Sequence, residues 1–291
     1  MLTHESRKGG EAVNLHQMLN KYRGFQEDSD LGMIVDKNGE TKGVFYDRVV
    51  KEYETYWTES IDWYRKLYQR HYQKMAGRHR PFFVSSESPC IIGQGQQTVL
   101  ETGMALHKTY GVPYIPGTAL KGLAAHYCHR YLGAEHPSFR MDGDSYKVLF
   151  GTQQEAGYIR FFDALPTPET VRTALLPDVM TPHHQSYNSL SSDTSKRLRP
   201  EAEYAPVESG ANAPRDDDSP IPVPFLSVVA DFRIMLFCES DSEEADAWLE
   251  IAEQLVLRAL KQEGIGGKTN AGYGRMTLKQ ARLKDEQRKQ Q

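Results

Sequence analysis

The sequence predicts an α+β fold, and three observations support that prediction. Strand candidates lie at about 81–92, 158–165, 225–238 and 273–283. A segment with apolar residues at helical three- and four-residue steps follows the first strand, and another follows the third. The order strand, helix, strand, strand, helix, strand is therefore the β-α-β-β-α-β arrangement of ferredoxin-like or RRM-like folds, an antiparallel sheet with two helices on one face.

The segment from Phe225 to Cys238 is the clearest strand candidate. Its even-numbered positions are all apolar, whereas its odd-numbered positions include Ser227, Asp231 and Arg233. This alternation predicts a single strand with one face in the core and the other partly in contact with water.

Capping and helix-terminating residues set the boundaries of the two predicted helices. The first helix begins after Pro116-Gly117, with Thr118 as a capping residue, and ends at Gly133. The second helix begins with a capping box formed by Ser240 and Glu243 and ends at Gly264.

The sequence divides into an N-terminal helical extension, residues 1–79, the α+β domain, residues 80–283, and a polar tail, residues 284–291. Within the domain, residues 186–220 are rich in Ser, Asp, Pro, Glu and Ala and poor in large apolar residues. Such a composition cannot bury enough apolar surface to order itself, so this segment is predicted to be a large, mobile insertion.

The N-terminal extension changes character along its length. Residues 1–43 are predicted to be loosely ordered, and the helical spacing of apolar residues from about Arg48 to Met75 predicts one helix. Between Trp63 and Arg80 the chain has six basic residues and no acidic residue. This charge bias is consistent either with a solvated helix face or with a surface that faces nucleic acid.

Composition limits the classes of function. The net charge of −4 means that a nucleic acid would have to bind a local basic surface. The sequence shows neither a signal peptide nor an apolar run long enough to span a membrane, and its three cysteines are far apart. We therefore expect a cytoplasmic protein with no membrane partner, no structural metal and no cofactor.

A glycine-rich stretch, residues 264–275, is the strongest candidate binding site. It does not match a P-loop, because Gln262 stands where that motif requires glycine and the stretch leads from a helix into a strand. Glycines allow backbone N–H groups to approach phosphates, and the other residues add charge, hydrogen-bond donors and a ring that can stack on a base. The alternative is a flexible helix-to-strand turn. The candidate RNA-binding residues here are Gly264, Gly266, Gly267, Lys268, Thr269, Asn270, Gly272, Tyr273, Gly274 and Arg275.

The start of the first predicted helix is a second candidate. Helix N-termini carry unpaired N–H groups and a partial positive charge, so an anion there would meet Gly117, Thr118 and Lys121. The alternative is an ordinary capped helix with an exposed lysine.

The histidine pairs give weaker signals. His126 and His129 lack a further ligand at metal-binding spacing, and so do His183 and His184. A general acid–base role of His183 or His184 in RNA cleavage is a chemical alternative.

Several motifs in order resemble the RAMP superfamily of CRISPR systems. Ile115–Gly122 resembles the "IPG" motif, the blocks 149–151 and 161–164 resemble a second family block, and 264–275 resembles the C-terminal glycine-rich loop. The segments 93–95, 101–111 and 178–183 are similar to the family of sixth subunits of type III-B (Cmr) effector complexes. Together the matches cover roughly residues 80–280.

The resemblance implies a subunit that caps the backbone filament near the 3′ end of CRISPR RNA. It implies as partners CRISPR RNA, target RNA, the main backbone subunit, the small helical subunit and the other terminal RAMP subunit. Target-cleaving backbone subunits use an aspartate after the first strand, whereas Glu101 is the only acid between Ser88 and Tyr114. The expectation is therefore a subunit with no catalytic residue; the alternative is a metal-independent endoribonuclease that processes CRISPR RNA.

Overall fold

The structure is a computed structural model. It describes residues 14–16, 19, 40–73, 78–95, 102–181, 222–240 and 242–279. The predicted insertion at 186–220 and the tail at 284–291 lie outside these ranges. Within them the chain is an α+β structure with two antiparallel sheets. The helices are α1 (Glu40–Glu59), α2 (Ile61–Gln73), α3 (Gly117–Tyr127), α4 (Asp144–Phe150) and α5 (Glu243–Gln262). The strands are β1 (Arg78–Ser86), β2 (Arg160–Phe161), β3 (Leu165–Pro166), β4 (Leu175–Met180), β5 (Val223–Val228), β6 (Asp231–Cys238) and β7 (Met276–Leu278).

The larger sheet has the order β2-β6-β1-β7, and β3 also pairs with β6. Strands β1 and β6 form its centre, with Arg78 opposite Cys238 and Ser85 opposite Asp231. Helix α5 packs on one face of this sheet, where Arg80 of β1 forms an ion pair with Glu253 of α5. Helix α3 lies beside α5 and against β2. The two helices that the sequence predicted therefore cover the same face.

The opposite face of the sheet is covered in part by the N-terminal extension. Side chains alternate along a strand, so Phe83 and Arg233 point away from α5. The Arg233 guanidinium lies over the ring of Tyr72 from α2, 4.5 Å from its centroid. The Tyr72 hydroxyl donates a hydrogen bond to the Arg233 carbonyl and accepts one from the Leu165 N–H. The extension therefore shares one hydrophobic core with the sheet.

The predicted single strand at 225–238 is wrong, because the chain breaks at Val229–Ala230. Strand β5 before the break pairs with β4 in a separate two-stranded sheet, whereas β6 after it pairs with β1. At the break, the Ser86 N–H and hydroxyl both donate to the Ala230 carbonyl. The predicted polar face is also largely buried: Ser227, Asp231, Met235 and Phe237 are each at most 7% exposed.

Other boundaries also differ from the sequence prediction. The predicted helix from about Arg48 is two helices that meet at a bend at Ser60, and the strand at 158–165 is divided into β2 and β3. Gly133 does not end α3: the helix continues into a π-helical turn, Cys128–Leu132, and Gly133 itself has right-handed helical geometry. Ser242, and not Ser240, occupies the N-cap position of α5, and its side chain makes no capping hydrogen bond. The final strand, β7, ends at Leu278.

Within the described ranges, every helix is too short or too polar to cross a membrane.

Candidate functional site

The glycine-rich loop follows α5 and leads into β7. Its backbone is in the left-handed region at Gly264, Gly266, Gly272 and Gly274, with φ between 79° and 94°. Gly264 ends α5, and its N–H donates to the Ala259 carbonyl. Glycine is required here because other residues rarely adopt these angles.

Two of these glycines are also positions of close backbone packing. A Cβ atom on Gly274 would lie 2.1 Å from the Ile265 carbonyl oxygen, and one on Gly266 would lie 2.2 Å from that of Ile91. The loop is thus folded tightly on itself and against the segment after β1. This packing explains much of the glycine content without any ligand.

The loop amides differ from the expected anion nest. The N–H groups of Gly264, Gly267, Gly272 and Gly274 all donate to protein carbonyls. An amide that already donates within the protein is not available to a phosphate oxygen. These four amides are used within the protein, so the candidate contacts that folding leaves open are those of the exposed side chains.

Lys268 has the unusual geometry in this loop. With φ of 57° and ψ of 30°, it is the only non-glycine residue with positive φ among the residues that the structure describes. Its carbonyl accepts hydrogen bonds from Ala271 and Tyr273, which keeps the backbone turned. The left-handed conformation costs a side-chain-bearing residue about 1–2 kcal/mol relative to glycine. Lys268 therefore has a strained backbone and an exposed side chain.

The tip of the loop is polar and exposed. Lys268 and Asn270 are exposed and Thr269 is half-buried. In the described part of the chain, none of these three side chains makes a hydrogen bond or an ion pair. One cation and two neutral hydrogen-bonding groups therefore stand together with no partner among the described residues.

Tyr273 and Arg275 have structural partners instead. The Tyr273 hydroxyl donates to the Asp178 carboxylate of β4 at 2.7 Å, and its ring packs against Phe225 of β5. Burial, followed by the Asp178 carboxylate, raises the pKa of Tyr273 to about 12. The Arg275 guanidinium donates to the Lys261 carbonyl in the last turn of α5. Tyr273 thus ties the loop to the second sheet, a role that the sequence did not reveal.

The start of α3 already has an anionic partner. The Gly117 N–H donates to the Asp163 carboxylate at 2.7 Å, and the helix begins after Pro116 with no capping bond from its own side chains. Thr118 therefore lies inside the helix and is not its cap, contrary to the sequence prediction. A carboxylate at this position satisfies the helix dipole and repels a second anion. Asp163 gave no local signal because it is 46 residues away.

Gly117 has a steric role in the same motif. A Cβ atom there would lie 2.1 Å from the Phe161 carbonyl oxygen of β2.

Two histidines, His71 and His107, lie close enough to Asp163 to feel its charge, and burial lowers the pKa of each below its ordinary value. Both are therefore neutral at neutral pH and add no charge for binding a phosphate.

Lys121 lies one turn into α3, half-buried, and makes no ion pair among the described residues. The Tyr127 hydroxyl donates to Gln262 at the end of α5, so the last turn of α3 lies beside the last turn of α5.

The histidine predictions divide between described and undescribed residues. His183 and His184 lie outside the described ranges. His126 lies 3.7 Å from Glu263, and His129 accepts a hydrogen bond from the Met141 N–H. Where the structure describes the chain, no group of three or more His, Cys, Asp or Glu side chains could hold a metal ion.

Comparison with known proteins places this fold and loop in a family. Residues 83–277 match the RAMP superfamily, and the chain belongs to that superfamily. The match begins in β1 and ends in β7, so it includes both the start of α3 and the glycine-rich loop.

Individual relatives show which members of the superfamily this chain is similar to. The CRISPR system Cmr subunit Cmr6 of Pyrococcus furiosus is 26% identical over 75% of this chain and 74% of its own length. The Cmr6 of Saccharolobus solfataricus is 25% identical over 68% of this chain, and the match covers 57% of that protein. A chain in the cryo-EM structure of the type III-B Cmr-beta bound to cognate target RNA has a similar fold, with a TM-score of 0.50, 17% identity and coverage of 92% of this chain and 86% of that one. This protein thus resembles the sixth Cmr subunit.

Proposed function

We propose that this protein is a subunit of a type III-B RNA-targeting CRISPR effector, in which it binds CRISPR RNA without cleaving it. The observation that carries the proposal is Lys268, held in a left-handed conformation with its ammonium group exposed and without a partner among the described residues. Residues other than glycine that are held in the left-handed region cluster at binding and active sites.

The fold supports the proposal. Taken in chain order, β1, β2, β6 and β7 are the four strands of a β-α-β-β-α-β unit, α3 joins the first two and α5 joins the last two. Their spatial order, β2-β6-β1-β7, is all antiparallel, and we infer from it a ferredoxin-like arrangement. Strands β4 and β5 are then an addition between its second and third strands.

We assign the RNA contacts to the loop tip and to Lys121, which lies one turn beyond the helix start that Asp163 occupies. Lys268, Thr269 and Asn270 offer a charge and two neutral donors to phosphate oxygens and riboses, and Lys121 of α3 adds a further charge. Gly266 and Gly272 are exposed, so an RNA backbone can approach the chain closely there. Contacts of this kind hold RNA by shape and charge, while base pairing of the guide reads the target.

In the assembly we place this chain at the end of the backbone filament, near the 3′ end of CRISPR RNA in the cytoplasm. Its proposed neighbours are the main backbone subunit, the small helical subunit and the other terminal RAMP subunit. The relatives named as Cmr6 support a place in a Cmr complex, and the position at the filament end is what the resemblance to sixth subunits implies.

The test is purification of the tagged full chain from its host, followed by identification of co-purifying proteins and sequencing of bound RNA. We expect other Cmr-type subunits and RNAs that share a 3′ boundary. Incubation of the purified chain with repeat RNA should produce no cleavage. Specific cleavage that is abolished by His183→Ala would contradict the proposal and support a processing endoribonuclease.

A further inference from the structure

Helix α2 carries an exposed stripe that the proposed function leaves unused. Trp63, Lys66 and Arg70 occupy positions i, i+3 and i+7, which lie on one side of an α-helix. All three are exposed, and Trp63 is 45% exposed. The face that packs into the core is formed by Tyr64, Tyr68 and Tyr72. The stripe is therefore the outer surface of a helix that is firmly attached through its tyrosines.

Aromatic neighbours hold Trp63 in place. Its ring stacks on the fully buried Trp57, with centroids 6.1 Å apart and planes 18° apart. Its other aromatic contact is Tyr110, edge-on at 6.5 Å, and Tyr110 in turn stacks on His107 at 4.1 Å. An exposed tryptophan supported in this way loses little side-chain entropy when a ligand ring stacks on it.

The loop that carries Tyr110 is fixed as well. The Asn14 side-chain amide donates to the Thr109 carbonyl at 2.9 Å and to that of Lys108 at 3.3 Å. Lys108, which directly follows His107 in the chain, thus has a backbone that Asn14 holds in place. Its side chain is exposed.

Three basic side chains near Trp63 and Tyr110 are not paired with a carboxylate among the described residues. Of the six basic residues between Trp63 and Arg80, Arg65 pairs with Asp62, Arg78 with Asp246 and Arg80 with Glu253. Three of these six charges are therefore paired with carboxylates on folding. Lys66, Arg70 and Lys108 make no ion pair within the described ranges.

We propose that Trp63, Lys66, Arg70 and Lys108 form a second binding site for single-stranded RNA, separate from the glycine-rich loop. Stacking of a base on an aromatic side chain, with nearby cations that contact phosphates, is the general chemistry of single-strand binding. A protein partner fits less well, because two of the three cations are lysines, which protein–protein interfaces deplete. This inference rests on the proposed RNA-binding function.

The test compares two neighbouring positions in the full chain. Lys66→Glu and Arg65→Glu change the charge equally, but only Lys66 belongs to the stripe. Binding of a fluorescein-labelled oligouridine is measured at 150 mM salt, where screening beyond about 8 Å removes most of the general charge effect. We expect Lys66→Glu to weaken binding several-fold more than Arg65→Glu. We also expect Lys66→Ala to reduce the log-salt slope by about 0.7.

Stacking is tested at Trp63. Trp63→Leu should weaken binding about five-fold or more, and Trp63→Phe should recover most of that loss because it keeps a ring. Circular dichroism confirms that both variants fold. Equal effects of Lys66→Glu and Arg65→Glu, together with unchanged binding by Trp63→Leu, would overturn the inference. The inference would also be overturned if Trp63→Leu lost a co-purifying subunit while its RNA affinity stayed unchanged. That result would identify this face as a protein interface.

The control for the proposed function is Lys268→Gly. If Lys268→Gly weakens oligouridine binding but the α2 variants do not, the second site is wrong and the proposed function stands. If no variant in either region changes RNA binding, the proposed function itself fails.

Discussion

The glycine-rich loop and the start of α3 have similar sequence signals but different structures. Both combine glycine with a nearby lysine, and both were predicted to hold an anion. At the start of α3 the protein supplies its own anion, because Asp163 accepts the Gly117 N–H. At the loop tip Lys268, Thr269 and Asn270 have no partner among the described residues.

The difference shows that a glycine in a binding-type motif can be there for packing alone. Gly117 allows the first turn of α3 to approach the Phe161 carbonyl of β2, and Gly274 allows the loop to fold against Ile265. Neither residue is exposed. The residues that distinguish a binding site from a packed turn are the polar side chains that folding leaves unpaired.

The largest expected effect is on loop packing. Gly274→Ala combines a left-handed backbone with a Cβ atom 2.1 Å from the Ile265 carbonyl oxygen, and we expect a loss of about 2–5 kcal/mol of stability. Gly272→Ala is the matched control, because Gly272 has φ of 94° but no atom within 4 Å of the added Cβ. It should lose only about 1–2 kcal/mol. Urea denaturation of both variants measures the difference, and equal losses would show that the loop is not closely packed.

A smaller effect is expected from the link between the loop and the second sheet. Tyr273→Phe removes the hydrogen bond to Asp178 and should lower stability by about 1 kcal/mol. Tyr158→Phe is the control, because Tyr158 is exposed and its hydroxyl makes no hydrogen bond within the described ranges. Indistinguishable unfolding midpoints for the two variants would argue against the link.

The same link predicts a pH dependence. The pKa of Tyr273 is raised to about 12, compared with about 10 for an exposed tyrosine. The folded state therefore favours the protonated hydroxyl. Its contribution to stability is complete below about pH 10 and is lost as the pH rises from about 10 to about 12. The stability difference between the wild type and Tyr273→Phe should shrink across that interval, and a constant difference would contradict the pKa shift.

The smallest effect on stability is expected at the start of α3. Asp163→Asn keeps an acceptor for the Gly117 N–H but removes the charge, which should cost about 0.3–1 kcal/mol. Because this helix end is occupied by the protein itself, the log-salt slope of RNA binding should not change. An increase of about 0.7 in its magnitude would mean that a phosphate replaces the carboxylate there.

Periodicity predicted the α+β class and the helices α3 and α5 because helix and strand patterns are local. It missed the break at Val229–Ala230 because β5 and β6 are both apolar and the alternation runs through the junction. Pairing decides which sheet each strand joins, and the partners β4 and β1 are distant in sequence.

The candidate site was predicted in part. The composition of 264–275 identified the segment, but the internal use of its amides depends on contacts with distant residues such as Pro89 and Ile91. The ion pairs that cancel the basic segment join residues as far apart as Arg78 and Asp246. A single sequence contains no signal for such pairs.

The most direct test of the central claim is the effect of Lys268→Gly on stability and on RNA binding. Glycine relieves the left-handed strain and removes the ammonium group. We therefore expect stability to rise by about 1 kcal/mol while RNA binding weakens and the log-salt slope falls by about 0.7. A more stable protein with unchanged RNA affinity and slope would contradict the claim that this loop holds RNA through Lys268.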